Sequence, residues 1–342
     1  MSQAISKPSF ALGTFSVAGC APFAGLVIDE RVIAIEALRA PLAVRGINLP
    51  ARASVLDLLE EWPLALRAFN TAAELVRSAQ IPGVQAVESA ALKTHMPVSP
   101  RQIFCSGANY RQHVIDIVMD IDSPDMRGLS REEKRARAEK LMDERAAHGR
   151  PYIFSKLPTS LTGPYDPIVL PPNVKQPDWE LELAVIIGKP ARHVSRQEAL
   201  KYVAGYTVAN DLSSRDLLFR EDIKAMGTDW VACKNPPSWA PLGPYLVPAE
   251  FVADPHNLQM TLKLNGKVMQ DAKSNDMIFD IPRQIEYLSG LVQLLPGDVI
   301  CTGSPAGNGS HYNRYLQPGD VVECSIAEIG AQRNVCEAER LR

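Results

Sequence analysis

From residue 151 onward, short apolar segments alternate with proline and glycine turns, and this spacing limits the folds that the chain can adopt. The segments read PIVLP, WELELAVIIG, YVAGYTVAND, YLVPAEF, QMTLKLNG, DVICTG and VVECSIAEIG. Such runs predict strands, and one helix is predicted among them, over residues 282–294. Alternating βαβ units and glycine-rich phosphate loops are absent from the sequence. The pattern therefore predicts an α+β, β-rich fold, built as a mixed β-sandwich or roll.

Residues 1–95 predict a small N-terminal α+β domain, in front of a larger unit over residues 96–342. Residues 23–34 are typical of a hairpin, with Asp29 and Glu30 at its turn. Residues 54–78 have the apolar spacing of a helix. A stretch rich in proline and small residues, 82–100, links the two units.

Residues 130–148 predict a charged helix inside the larger unit. Ser130 and Glu133 have the spacing of a capping box at its start. Its apolar stripe is thin, consisting of Ala138, Leu141 and Met142. Such a helix usually covers another part of the fold and contributes little to a core.

Composition excludes several classes of partner. The chain has 342 residues with 36 basic and 39 acidic side chains, a formal net charge of −3. This balance predicts no binding to nucleic acid or to an anionic membrane surface. No apolar run approaches the roughly 18 residues of a membrane span. The six cysteines are dispersed without a CxxC pair, which indicates reduced thiols in a cytoplasm and argues against a zinc site.

Two acids in the apolar segment PDWELELAVIIG stand out. Residues two apart in a strand point the same way, roughly 6.5–7 Å apart, so Glu180 and Glu182 share a face. A solvated strand face would explain them, but the next residues on that face are Ala184 and Ile186. A charge beside apolar neighbours is costly unless it is paired or bound to a metal.

A third acid, Asp211, ends the following β-rich segment. Three carboxylates without clustered histidine or cysteine suit a hard cation, with Mg²⁺ first and Mn²⁺ or Ca²⁺ as alternatives. The sequence therefore predicts a divalent-metal site made of Glu180, Glu182 and Asp211.

The segment SGANYRQHVIDI contains the best candidate for acid–base chemistry. His113 follows a predicted strand and turn, and Asp116 lies three residues later on the same helical face. A carboxylate that orients an imidazole is a common arrangement for a general base, although an ordinary surface contact has the same spacing. Arg215 and Lys234 are candidate cations near the acids, and plain surface charges are the alternative.

Five motifs in order resemble the fumarylacetoacetate hydrolase family. They are GANYRQH, DWELELAVIIGK, GYTVANDLSSRD, MIFDIPRQIEYLS and LLPGDVICTGSPAGNG, within residues 101–326. The resemblance implies the family's β-sandwich roll for the larger unit, whereas residues 1–95 match only loosely.

The resemblance also implies roles for individual residues. Glu180, Glu182 and Asp211 fall on the family's metal ligands, and His113 falls on its histidine. The family's acid three residues later is typically Glu, and here it is the shorter Asp116. The remaining implied site residues are Lys234 as a catalytic lysine, with Arg215, Lys156, Tyr110, Thr302 and Gly303 as substrate-binding residues.

The activity implied by the family is hydrolysis of a C–C bond in a 1,3-diketo or acylpyruvate-type acid, with Mg²⁺ or Mn²⁺ and an enolate intermediate. The same site could serve a β-keto acid decarboxylase, hydratase or isomerase, and a catalytically silent metabolite-binding module is a further alternative. The resemblance also implies a small-molecule keto-acid substrate, a cytoplasmic homodimer and a place in aromatic catabolism. Residues 114–150, longer than in compact members, would form an enlarged lid that shapes substrate choice.

Overall fold

A computed structural model describes residues 9–51, 54–120, 126–223, 225 and 227–340. The helices are α1 (Ile35–Ala43), α2 (Val55–Glu60), α3 (Trp62–Arg77), α4 (Arg111–Asp120), α5 (Arg131–His148), α6 (Trp230–Lys234), α7 (Ile281–Leu291) and α8 (Gly309–Tyr312). The strands are β1 (Ala11–Ser16), β2 (Phe23–Ile28), β3 (Arg31–Ala34), β4 (Val87–Glu88), β5 (Lys93–His95), β6 (Ile103–Gly107), β7 (Tyr152–Ser155), β8 (Leu161–Thr162), β9 (Ile168–Leu170), β10 (Pro177–Asp178), β11 (Leu181–Ile187), β12 (Val203–Asn210), β13 (Ser213–Ser214), β14 (Ala240–Pro248), β15 (Gln259–Leu264), β16 (Lys267–Lys273), β17 (Val299–Cys301), β18 (Val321–Ile326) and β19 (Gly330–Ala338).

A long mixed sheet forms the frame of the molecule. Its strand order is β4-β3-β2-β1-β14-β12-β11-β17-β6-β7, with β5 beside β1 and β8 beside β14. A second sheet has the order β16-β15-β18-β19-β9, and β10 pairs with β13. One apolar core contains side chains from both large sheets, among them Leu183 of β11, Leu262 of β15 and Cys324 of β18. The predicted α+β, β-rich sandwich is confirmed.

The N-terminal unit contains the hairpin and helices that the sequence predicts. Strands β2 and β3 pair across Asp29 and Glu30, both at positive φ, as a tight hairpin turn requires. Its sheet continues into the larger unit, because β1 pairs with β14 at Leu12 and Leu246. The boundary near residue 95 stays a prediction, and the two units share one sheet.

Strand β11 is buried on both faces, which the continuous apolar sequence indicates. Leu181, Leu183 and Val185 point into the core between the sheets. Ala184 and Ile186 point into a second core, shared with the N-terminal helices. The two glutamates at the start of this strand therefore lie among buried groups, and the solvated-face alternative is wrong.

Helix α5 begins with the predicted capping box, in which Ser130 and Glu133 bond each other's backbone N–H. Ala138 and Met142 are fully buried against Val114 and Ile115 of α4. Leu141 is 46% exposed and was wrongly placed in the apolar stripe. Helix α5 thus packs on the helix that carries His113.

Helix α7 is shorter than predicted, ending at Leu291 instead of residue 294. Val292 is extended, and Leu294 forms a β-bridge with Ala191. Because Leu294 pairs with Ala191, the segment after Leu291 is extended and does not continue the helix. Within the described ranges, no helix is both long and apolar enough to cross a membrane.

Candidate metal centre

The three acids singled out in the sequence meet at one end of the β11–β12 pair. The register sets Glu182 opposite Ala209 and Leu181 opposite Asn210. The N–H of Asp211 donates to the carbonyl of Glu180 over 2.9 Å. One carboxylate oxygen from each of Glu180, Glu182 and Asp211 lies within 4.8 Å of the other two. All three residues are buried, and we call this group the acidic triad.

Two lysines and one arginine contact two members of the triad. Nζ of Lys234, at the end of α6, lies 2.7 Å from Oε2 of Glu180 and 2.5 Å from Oδ2 of Asp211. Nζ of Lys156 lies 2.7 Å from Oδ1 of Asp211. Nη2 of Arg215 lies 2.5 Å from Oε1 of Glu180. Arg215 and Lys234 thus lie beside the acids, as the sequence predicts, and the roles of all three cations toward a substrate stay predictions.

The neighbouring charges set opposite pKa directions for the two glutamates. Burial favours the neutral form of Glu180, but Lys234 and Arg215 outweigh it and hold its pKa below the ordinary value. Burial, followed by the charges of Asp211 and Glu180, raises the pKa of Glu182 well above the ordinary value. Glu182 accepts a 2.6 Å hydrogen bond from the N–H of Gly303. Among the described side chains, no lysine or arginine lies within ion-pair distance of Glu182.

This arrangement fits a divalent cation. Buried like charges that lack enough positive neighbours need a cation or protons. The donors are carboxylates only, which suits hard, oxygen-binding ions. Glu182 is the member whose ionised form the protein leaves least compensated. The buried triad thus supports a divalent-metal site.

Asp178 is part of this site, and the sequence analysis did not single it out. Its buried carboxylate accepts hydrogen bonds from Nε of Arg215 over 2.8 Å and from the N–H groups of Gly309 and Ser310. It therefore orients Arg215 toward Glu180 and fixes the start of α8. Its position as the first acid of PDWELEL is the signal that could have identified it.

His113 lies in the first turn of α4, near the triad. Burial lowers the pKa of His113 to about 4, although the charge of Glu180 acts in the opposite direction. The ring is therefore neutral at pH 7 and able to accept a proton. No hydrogen bond between His113 and Asp116 is present among the described contacts. Oδ1 of Asp116 instead accepts a 2.6 Å hydrogen bond from Nε2 of Gln112, so the pairing of the two residues stays a prediction.

The other residues that were expected to bind substrate contact neighbouring parts of the protein. Tyr110 is fully buried, and its hydroxyl lies 3.2 Å from the sulfur of Met260. The hydroxyl of Thr302 donates to the carbonyl of Leu183. Gly303 has φ +102°, and a Cβ there would lie 2.8 Å from that of Asn109. Only glycine fits this position, where the backbone N–H meets Glu182.

The sequence is similar to proteins of known family over most of its length. The sequence profile described as fumarylacetoacetate (FAA) hydrolase C-terminal matches residues 102–337. The mitochondrial oxaloacetate tautomerase Fahd2a of Rattus norvegicus is 37% identical over 233 residues, covering 68% of this chain and 64% of the relative. The human oxaloacetate tautomerase FAHD2B is 45% identical over 182 residues, covering 53% and 57%. The chain thus spans about three fifths of the length of these relatives.

Other relatives match over nearly their full length. The oxaloacetate tautomerase fahd2 of Xenopus laevis is 31% identical over 317 residues, 90% of each chain. The structure of maleylpyruvate hydrolase from Sphingobium sp. SYK-6 with manganese(II) and pyruvate is 27% identical, with a TM-score of 0.68, covering 96% of this chain and all of that one. Fumarylacetoacetate hydrolase from Exiguobacterium antarcticum is 25% identical, with a TM-score of 0.70 and the same coverage. From its motifs, its fold and these matches, the chain belongs to the fumarylacetoacetate hydrolase family.

Proposed function

We propose that the chain is a metal-dependent enzyme of keto–enol chemistry, and that its reaction is the tautomerisation of an α-keto dicarboxylic acid of the oxaloacetate type. The observation that carries the proposal is the acidic triad, three buried carboxylates, of which Glu180 is close enough for its charge to act on His113. Several relatives at 31–45% identity are named oxaloacetate tautomerases. Tautomerisation needs only a proton acceptor and stabilised negative charge, and it does not require an activated water.

Glu180, Glu182 and Asp211 would hold Mg²⁺, with Mn²⁺ as the alternative and Ca²⁺ as a weaker candidate. When bound, such an ion acts as a Lewis acid that stabilises negative charge on neighbouring substrate oxygens. Because Glu182 must be ionised to serve as a ligand and burial raises its pKa, binding of the ion would favour the charged form of this carboxylate.

The other side chains of the site supply proton transfer and positive charge. In the keto-to-enol direction, the neutral ring of His113 takes a proton from the carbon beside the ketone and gives a proton to the ketone oxygen. In the enol-to-keto direction, the ring takes the proton from the oxygen and gives one to the carbon. Lys234 keeps its positive charge, since Asp211 and Glu180 raise its pKa despite burial. Its ammonium group, with that of Lys156, balances the triad and attracts the substrate carboxylate. Roles for Tyr110, Thr302 and Gly303 in substrate binding stay predictions.

Hydrolysis of a C–C bond in an acylpyruvate-type acid is the second candidate. The likeness to maleylpyruvate hydrolase, which extends over 96% of this chain, favours it. For that reaction His113, oriented by Asp116, would take a proton from water. The relatives named oxaloacetate tautomerases, at 31–45% identity, make tautomerisation the better supported reaction.

A substrate panel separates these functions. Purified protein with Mg²⁺ or Mn²⁺ would be mixed with the enol form of oxaloacetate, with keto oxaloacetate and with several acylpyruvates, and ultraviolet absorbance would be followed. We expect rapid metal-dependent loss of enol absorbance beyond the spontaneous rate. Pyruvate released from acylpyruvates would establish the hydrolase, and carbon dioxide from oxaloacetate would establish a decarboxylase. Metal binding without any turnover would favour the silent binding module.

We further propose that residues 114–150 form a lid over the site. Helix α4 begins just before this segment and carries His113 and Asp116, and α5, within the segment, packs on α4. Trypsin should cut the arginines and lysines of α5 more slowly when oxalate and Mn²⁺ are bound. Equal cutting with and without this substrate analogue would contradict a lid. A cytoplasmic homodimer and a place in aromatic catabolism stay predictions.

A further inference from the structure

Helix α5 presents a polar stripe as well as an apolar one to α4. Arg135, Glu139 and Asp143 follow one another at four-residue intervals, beside the buried Ala138 and Met142. Nη1 of Arg111 lies 2.7 Å from a carboxylate oxygen of Asp143. Nη2 of Arg135 donates to Oε1 of Gln112 over 3.2 Å, while its Nε donates to Glu139. The stripe therefore contacts the two residues that precede His113.

The partners of Gln112 fix the orientation of its amide group. A guanidinium group only donates hydrogen bonds, so the amide oxygen must face Arg135. The NH₂ group then faces the opposite direction, where Nε2 lies 2.6 Å from Oδ1 of Asp116. The backbone N–H of Gln112 also donates to Asp276 over 2.9 Å. Gln112 thus links α5 to the carboxylate that stands one turn beyond His113.

We infer that Arg135 and Gln112 are positioning residues, which hold the Asp116 carboxylate in the orientation that the reaction at His113 uses. The inference rests on the proposed function, in which His113 moves the proton. Without Arg135 the amide oxygen of Gln112 loses the donor that ties it to α5. The side chain of Gln112, and the Asp116 carboxylate bonded to its NH₂ group, are then no longer held in place by that helix.

This chain of contacts is separable from the anchoring of α5. Ala138 and Met142 remain packed on α4, and Arg111 still binds Asp143. Nη1 of Arg145 also donates to the carbonyl of Ala108. Arg135 is exposed, so its replacement removes its contacts with Gln112 and Glu139 and leaves the helix packed on α4.

The test compares R135M and Q112L with R131M, a matched change at an exposed arginine in the first turn of α5. We expect R135M and Q112L to lower kcat about tenfold, the factor that one charge-assisted hydrogen bond typically contributes. KM and the Mn²⁺ dissociation constant should stay within about twofold of wild type, R131M should match wild type, and R135K should recover part of the loss. Unchanged kcat in R135M and Q112L, with D116N impaired, would overturn the inference and leave the proposed function standing.

Double variants show whether the effect passes through Asp116. Adding R135M to D116N should cost no further activity, because the group being positioned is already lost. Effects that multiply would contradict the inference, and so would a fully active D116N. A readout without turnover is the side-chain amide NMR signal of Gln112 in metal-free protein, identified by its loss in Q112E. R135M and D116N should each shift it, and an unshifted signal in both would overturn the inference.

Discussion

Replacing Glu182 by glutamine should lower turnover at least a hundredfold and weaken Mn²⁺ binding by a similar factor. Mutation of a residue that only orients a metal ligand typically lowers metal affinity or activity by about 10- to 100-fold, so loss of a ligand itself should cost at least the larger factor. The change keeps the shape of the side chain and removes its charge. Glu182 is the member of the acidic triad without a lysine or arginine partner among the described residues. Its carboxylate therefore depends most on a bound cation.

The same variant should fold at least as well as wild type when metal is absent. Burial raises the pKa of Glu182 and so disfavours its charged form, and glutamine has the shape of the neutral form. Melting temperatures with and without Mn²⁺ measure both effects: the metal-induced increase should disappear, and the metal-free value should not fall. Glu337→Gln, at an exposed position on β19, is the matched control. Unaltered Mn²⁺ affinity in Glu182→Gln would exclude Glu182 as a ligand.

Replacing His113 by asparagine should lower turnover without weakening metal binding. Turnover should fall by about 10²–10⁴, the usual contribution of a general acid or base, while Mn²⁺ affinity stays within about threefold of wild type. His193→Asn serves as the control, since His193 is exposed and its positive φ suits asparagine. Loss of metal binding in His113→Asn, or full activity, would contradict the assigned role.

The pH dependence of kcat/KM supplies a second test of His113. A base must be neutral to accept a proton, and burial lowers the pKa of this ring to about 4. The ring is therefore neutral throughout pH 5 to 8. Any decrease in kcat/KM that its protonation causes should lie below about pH 5. An acidic limb centred near 6.5 that disappears in His113→Asn would show that the ring titrates as an exposed histidine does.

The sequence predicts those parts of the site that depend on local geometry. Alternation along a strand places Glu180 and Glu182 on one face, and the apolar neighbours Ala184 and Ile186 argue against a solvated face. Asp211 needs one more step, the pairing of two consecutive strands, and consecutive strands usually lie side by side. The hairpin turn at Asp29 and Glu30 and the capping box of α5 are equally local.

Contacts between distant segments could not be predicted in this way. The pairing of Leu12 with Leu246 joins strands that are far apart in the sequence, and no local pattern specifies it. Likewise, the sequence offers Lys234 as a cation near the acids, and the resemblance implies a site role for Lys156, but only the fold shows that both contact Asp211. The link from Arg135 to Gln112 depends on how two helices pack. Such features follow from tertiary packing, which one sequence does not reveal.

Glu180, Glu182 and Asp211 are expected to bind one divalent ion within reach of His113. Crystals grown with Mn²⁺ and oxalate, measured at the manganese absorption edge, test this expectation most directly. We expect one strong anomalous peak in contact with a carboxylate oxygen from each of the three acids. A peak elsewhere, or none at this position at saturating Mn²⁺ while Lys156 and Lys234 keep their ion pairs, would contradict it.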